Sequence, residues 1–230
     1  PSWRRERWDT PDGDFVDVDF CEAHAFVASG IHHRQRPLLV LFHGLEGSSG
    51  SHYSQAFADW GMTNGCDIAV PHFRGCSGTL NLAPRAYHSG DHEEVHHLLT
   101  KFKQVVEVQK RPGLLAAGVS LGGNALMRWA GEQGQSAQKI VCAVASICSP
   151  LDLSASGKAI GEGFNRQVYT RMFLSTMKPK ALAKWQQHPG LFDRDRLAAA
   201  LAADDDDDLD DDAAQAAVEA SMKDVLSKNS

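Results

Sequence analysis

The residues best suited to chemistry form two short runs, Gly118-Val119-Ser120-Leu121-Gly122 and His43-Gly44-Leu45-Glu46-Gly47-Ser48. In the first run, glycines two positions either side of a serine give the spacing of a sharp strand-to-helix turn that exposes a hydroxyl. Gly118 and Gly122 leave room there for neighbouring backbone. Ser120 is therefore the candidate catalytic residue, a nucleophile for acyl transfer. A helix starting after it points free N–H groups and partial positive charge at the same place. The second run is a glycine-rich loop that follows an apolar stretch. A loop in that position and the residue after the nucleophile supply the backbone donors of an oxyanion hole. The predicted donors are the Leu45 and Leu121 amides, with Gly44 keeping the loop open. One such donor is worth about 3 kcal/mol of transition-state stabilisation. His43 precedes the donor, and shaping the loop is favoured for it over acting as a base.

A serine nucleophile needs a base to take its proton and an acid to orient that base. In a strand–turn–helix site of this kind both follow the serine in the chain. The only histidine after Ser120 is His188, in Gln187-His188-Pro189-Gly190, a poor setting for a base. Asp152 follows a predicted strand, and capping the next segment is favoured over catalysis for it. His88, His92 and His96 lie four apart, a spacing that can hold zinc on a helix. Ser89-Gly90 breaks that helix, however. Asp91 then reads as an N-cap, with His92, His96 and His97 on a solvated side, so no metal is expected. Cys76 is not expected to act as a nucleophile. Cys21, Cys66, Cys76, Cys142 and Cys148 are odd in number and lack CxxC spacing, which predicts free thiols in a reducing compartment.

Positioning these groups falls to an alternation of apolar runs and amphipathic stretches. Residues 15 to 27 partly alternate and predict two short strands of a hairpin or meander. Pro37 to Phe42, Asp67 to Pro71, Leu114 to Val119 and Lys139 to Ile147 read as buried strands. Helices are predicted over Tyr53 to Met62, His92 to Lys110 and Gly122 to Gly131. The pattern implies βαβ units and a mostly parallel sheet with helices on both faces. Residues 160 to 192 look helical. The Ala/Asp-rich stretch from 198 to 217 is low-complexity, and residues 204 to 212 hold eight aspartates. A run of that kind cannot bury itself, and the tail is expected to be loose.

The net charge of -6 comes from that aspartate run, because without it the chain is close to neutral. Nothing there suggests a nucleic-acid surface. No apolar run approaches the roughly 20 residues of a membrane span. The chain opens on Pro1, so its natural N-terminus is expected to lie upstream. Open to water, the Lys139–Ile147 strand would invite self-association along its edge.

Several motifs in one order carry a resemblance: TPDGDFVDVDF, HGLEGSSGSHY, PHFRGCSG, YHSGD, GVSLGGN and SPLDL. Together they resemble the YheT-like branch of the α/β-hydrolases, the AB hydrolase 4 family, over about residues 3 to 195. The resemblance implies an α/β-hydrolase core over residues 1 to 197 with a helical lid at about 151 to 192, and an acidic tail over 198 to 230. It implies hydrolysis of a small acyl ester, of carboxylesterase or monoacylglycerol-lipase type, through an acyl-enzyme on Ser120 and without a cofactor, and the free thiols set the expected location as cytoplasmic. The family's acid and histidine lie after further C-terminal strands. The resemblance places His188 in the lid instead, so those strands and the triad partners are expected to be missing. A catalytically inactive fragment or binding module is the competing expectation.

Overall fold

Short runs of Val, Leu, Ile and Ala with turn residues at their ends form strands that are apolar on both faces. The computed structural model describes residues 1–23 and 33–190. Strands β1 (Arg4–Asp9), β2 (Phe15–Cys21), β3 (Leu38–Phe42), β4 (Asp67–Pro71), β5 (Leu114–Val119) and β6 (Ala143–Ile147) form one sheet in the order β1-β2-β4-β3-β5-β6. The β4-β3, β3-β5 and β5-β6 pairings are parallel, whereas β1-β2 and β2-β4 are antiparallel. Helices α1 (His52–Asn64), α2 (His92–Val108) and α3 (Leu121–Gln133) connect the parallel strands. Leu153–Ile160 (α4), Gly163–Asn165 (α5) and Arg171–Gln187 (α6) follow β6.

The two-residue period of a strand sends alternate side chains to opposite faces. Val16, Val18, Phe20, Val40 and Phe42 meet Leu98, Leu99 and Phe102 of α2 and Leu126 and Trp129 of α3. Leu39, Leu41, Ile68, Val70 and Ala117 meet Ala58 and the half-buried Tyr53 and Phe57 of α1. The expectation of a largely parallel sheet with helices on both faces therefore holds. Coverage of the α1 face stops short of β6. Phe57, Trp60, Leu115, Ala117, Ala143 and Ile147 line an apolar groove of about 470 Å³ there. β6 is the edge strand, and its residues are exposed apart from the half-buried Ile147.

Phe15–Cys21 is the first of the two strands expected over residues 15 to 27, and its antiparallel hairpin partner is the basic run Arg4–Asp9. The second expected strand falls, from residue 24, outside the described residues. Two expectations need correction. The strand expected from Lys139 begins at Ala143, because Gly134–Lys139 closes into a 3-10 turn. His92, His96 and His97 are half-buried rather than solvated. The described backbone divides into two compact units, one ending at Lys158 and one beginning at Ala159. The expectations for the acidic tail fall on residues outside the described ones.

Candidate active site

Ser120 sits between the last residue of β5 and the first of α3, with φ 52 and ψ -120. An L-residue reaches that region only when its surroundings hold it there. Steric contacts on every side provide that hold. A Cβ on Gly118 would stand 2.5 Å from the Gly122 carbonyl oxygen. One on Gly122 would stand 2.4 Å from the carbonyl oxygens of both Phe42 and His43. The start of α3 therefore packs directly on the end of β3. Gly123, which spacing alone does not single out, is tighter still: its Cβ would fall 1.9 Å from the Ser149 hydroxyl. The Ser120 N–H donates to the Ile147 carbonyl at 2.9 Å, tying the turn to β6.

The loop after β3 meets this turn from the other side. A Cβ on Gly44 would lie 3.3 Å from the Ser120 Cβ. Three successive amides then have different fates. The Gly44 N–H donates to the Tyr53 hydroxyl at 2.9 Å, and the Glu46 N–H donates to the Tyr87 hydroxyl at 2.9 Å. The Leu45 N–H between them has no acceptor among the described residues. The Leu121 N–H, first of α3, has none either, as the opening amides of a helix lack intrahelical partners. Both residues are half-buried.

Tyr87 holds this arrangement in place. Its hydroxyl donates back to the Glu46 carboxylate at 2.8 Å, and its ring stacks on Phe73 at 5.2 Å. Burial pushes the Tyr87 phenol up, so it stays a donor. Glu46 has φ 56, and the reciprocal pair fixes that turn. His43 is fully buried and both ring nitrogens are engaged. Its Nε2 accepts the Phe73 N–H at 2.9 Å, so the proton resides on Nδ1, which donates to the Gly44 carbonyl at 2.8 Å. This imidazole shapes the loop and has no lone pair left for a serine proton.

The remaining candidates are occupied elsewhere. His72 pairs with Asp19, and His96 accepts the Trp129 indole N–H at 3.1 Å. Asp152 accepts the Ala155 N–H at 2.9 Å, capping α4. Asp91 occupies the N-cap of α2 but turns its carboxylate to Arg85. His188 ends α6 in the second unit. The Ser120 hydroxyl makes no hydrogen bond among the described residues. Nor is any group of three His, Cys, Asp or Glu among them arranged to hold a metal ion. No described helix is long and apolar enough to cross a membrane.

No family model matches the chain. Among curated proteins it is 36% identical over 190 residues to the putative esterase YheT of Escherichia coli, covering 83% of this chain and 52% of that protein. The chain belongs to the α/β-hydrolase family. Human monoacylglycerol lipase ABHD2 is 28% identical to this α/β-hydrolase over 111 residues, covering 48% of the chain and 25% of the lipase. Among solved structures, the Pyrococcus furiosus esterase Pf2001 shares the fold at a TM-score of 0.52 and 17% identity, covering 81% of this chain and 67% of that one. The chain spans about half the length of its YheT relative. Sequence reasoning passed over Tyr53, Tyr87 and Gly123 in this α/β-hydrolase. The second glycine of Ser-Leu-Gly-Gly was the available signal for Gly123. Nothing local marks the tyrosines, because their partners lie 9 and 41 residues away.

Proposed function

We propose that this α/β-hydrolase carries the nucleophile half of a serine hydrolase of carboxylic esters, of carboxylesterase or monoacylglycerol-lipase type. The Ser120 oxygen attacks the ester carbonyl, the alcohol leaves with a proton, and water releases the acid from the acyl-serine. Charge on the carbonyl oxygen is met by the Leu45 and Leu121 amides. The observation that carries the reading is Ser120 at φ 52, with two unclaimed amides on the segments that flank it. The names of the YheT and ABHD2 relatives support the substrate class. Five free thiols favour a reducing compartment, and we place the protein in the cytoplasm. Self-association through the β6 edge belongs to the same proposal.

The Ser120 hydroxyl, without a partner among the described residues, favours a second reading for the chain on its own, a fold that binds esters without turning them over. One experiment separates the two. The 230-residue chain should hydrolyse a short nitrophenyl ester slowly, at a rate of about 10³-fold over water from the oxyanion donors. Ser120→Ala should change that rate little. Fusing the part of YheT beyond the matched region should restore turnover that Ser120→Ala abolishes. A fused chain that folds but stays inactive overturns the hydrolase reading.

A further inference from the structure

Tyr53 and Tyr87 both accept an amide of the loop after β3, but they differ in what their own proton does. A hydroxyl offers one donor and two acceptor lone pairs. Tyr87 donates its proton to the Glu46 carboxylate. Tyr53 accepts from Gly44, yet its O–H meets no acceptor among the described residues. Its oxygen is closely placed. It lies 3.7 Å from the point where a Cβ on Gly44 would stand, and the Ser120 Cβ lies 3.3 Å from the same point. It also lies 2.3 Å from the Cβ position of Gly47, so only a bare glycine admits it there. Tyr53 is the second residue of α1, and its half-buried ring packs on the core cluster that also receives Val119. The phenol is thus fixed at one end by the helix and at the oxygen by the Gly44 amide.

We infer that the Tyr53 hydroxyl is a third donor to the oxyanion formed on attack by Ser120, a catalytic residue beside the Leu45 and Leu121 amides. The inference rests on the hydrolase reading above. The Gly44 N–H takes one lone pair and fixes the oxygen, which leaves the O–H to turn about the C–O bond toward a charge formed at Ser120. A donor held in place before charge develops costs no reorganisation when it does. A neutral phenol also bonds more strongly to an oxyanion than to a neutral carbonyl, so its contribution falls on the transition state rather than on substrate binding.

The test uses the whole chain and a pair of alkyl phosphonofluoridates that differ in P=O against P=S. In both, the Ser120 oxygen forms the bond to phosphorus, P–F breaks, fluoride leaves and the serine proton passes to solvent. Labelling is followed by intact mass over hours. Sulfur accepts hydrogen bonds poorly, so a lost oxyanion donor should slow the oxo probe far more than the thio probe. Tyr53→Phe should slow oxo labelling about tenfold and thio labelling less than twofold. Tyr87→Phe, which loosens the loop but removes no hydroxyl from the oxyanion, should widen the gap between the two probes far less than Tyr53→Phe does. Each comparison is a ratio within one variant, and partial unfolding, which lowers both rates together, cannot mimic it. Equal slowing of both probes by Tyr53→Phe, or no slowing, overturns the third donor and leaves the hydrolase reading intact. If Ser120→Ala labels as fast as the parent, or the chain fused to the part of YheT beyond the matched region takes up no label, the hydrolase reading fails and this inference fails with it.

Discussion

Gly122 and Gly131 lie on the same helix, yet a methyl group should have opposite effects at the two. At Gly122 the new Cβ would press to 2.4 Å on two backbone carbonyls at the end of β3, which no rotamer change can relieve. Gly122→Ala should destabilise the protein by about 3 kcal/mol. At Gly131 nothing lies within 4 Å of the new atom, and the position is exposed and helical. Gly131→Ala should stabilise by about 0.8 kcal/mol through helix propensity alone. Urea midpoints at unchanged m-value measure both, and a neutral Gly122→Ala would contradict the close packing of β3 on α3. The spacing of G-x-S-x-G made Gly122 legible in the sequence. What it could not show is why His43 is unsuited to be a base. That depends on the Phe73 amide, 30 residues distant and brought in by the loop after β4.

β2 shows how an element can be half legible. Its apolar positions Val16, Val18 and Phe20 alternate and face the helices α2 and α3, as their period predicts. Its opposite face carries Asp17 and Asp19, which a sequence reading would place in water, yet both are buried. Their partners come from separate segments. Arg7 and Ser77 meet Asp17, and Arg5, Ser49 and His72 meet Asp19. Burial alone would raise the Asp19 carboxyl, but hydrogen bonds from Arg5, His72 and Ser49 outweigh it and hold the group well below the usual carboxylate range. A depressed carboxyl stabilises the fold at any pH above its unfolded value, near 4, and loses that contribution as acid protonates it. Asp19→Asn should therefore cost about 3 kcal/mol at pH 7, and the gap to the parent should narrow steadily below about pH 4. Denaturant titrations across that range check the sign. A constant gap down to the acid limit would mean that charge is irrelevant at this position.

At the scale of the whole molecule, what matters most is the side of the sheet that the helices of Pro1–Lys158 leave open among the described residues. β6 carries Val144 at 38% exposure on the sheet's edge, beside the apolar groove. Flat apolar edges recruit other strands, and a lysine is a usual way of blunting them. The parent chain should self-associate at micromolar concentration, and Val144→Lys should weaken that association at least tenfold by sedimentation velocity. A parent that stays monomeric at every concentration would remove the edge as an interface. The parallel core of this molecule was readable from four apolar runs, whereas the open groove depends on where α1 stops, which no local pattern encodes. Among the described residues, four other than glycine have positive φ, and three of them, Glu46, Ser120 and Cys148, follow β3, β5 and β6. Those strands are neighbours in the sheet and run parallel, so the cost gathers along one rim. Each such residue carries about 1–3 kcal/mol that a glycine would relieve. A lineage with no use for that rim would gain stability from every such replacement. Glycine at Glu46, Ser120 or Cys148 should therefore raise the urea midpoint at unchanged m-value, and at Ser120 it would do so at the expense of the hydroxyl.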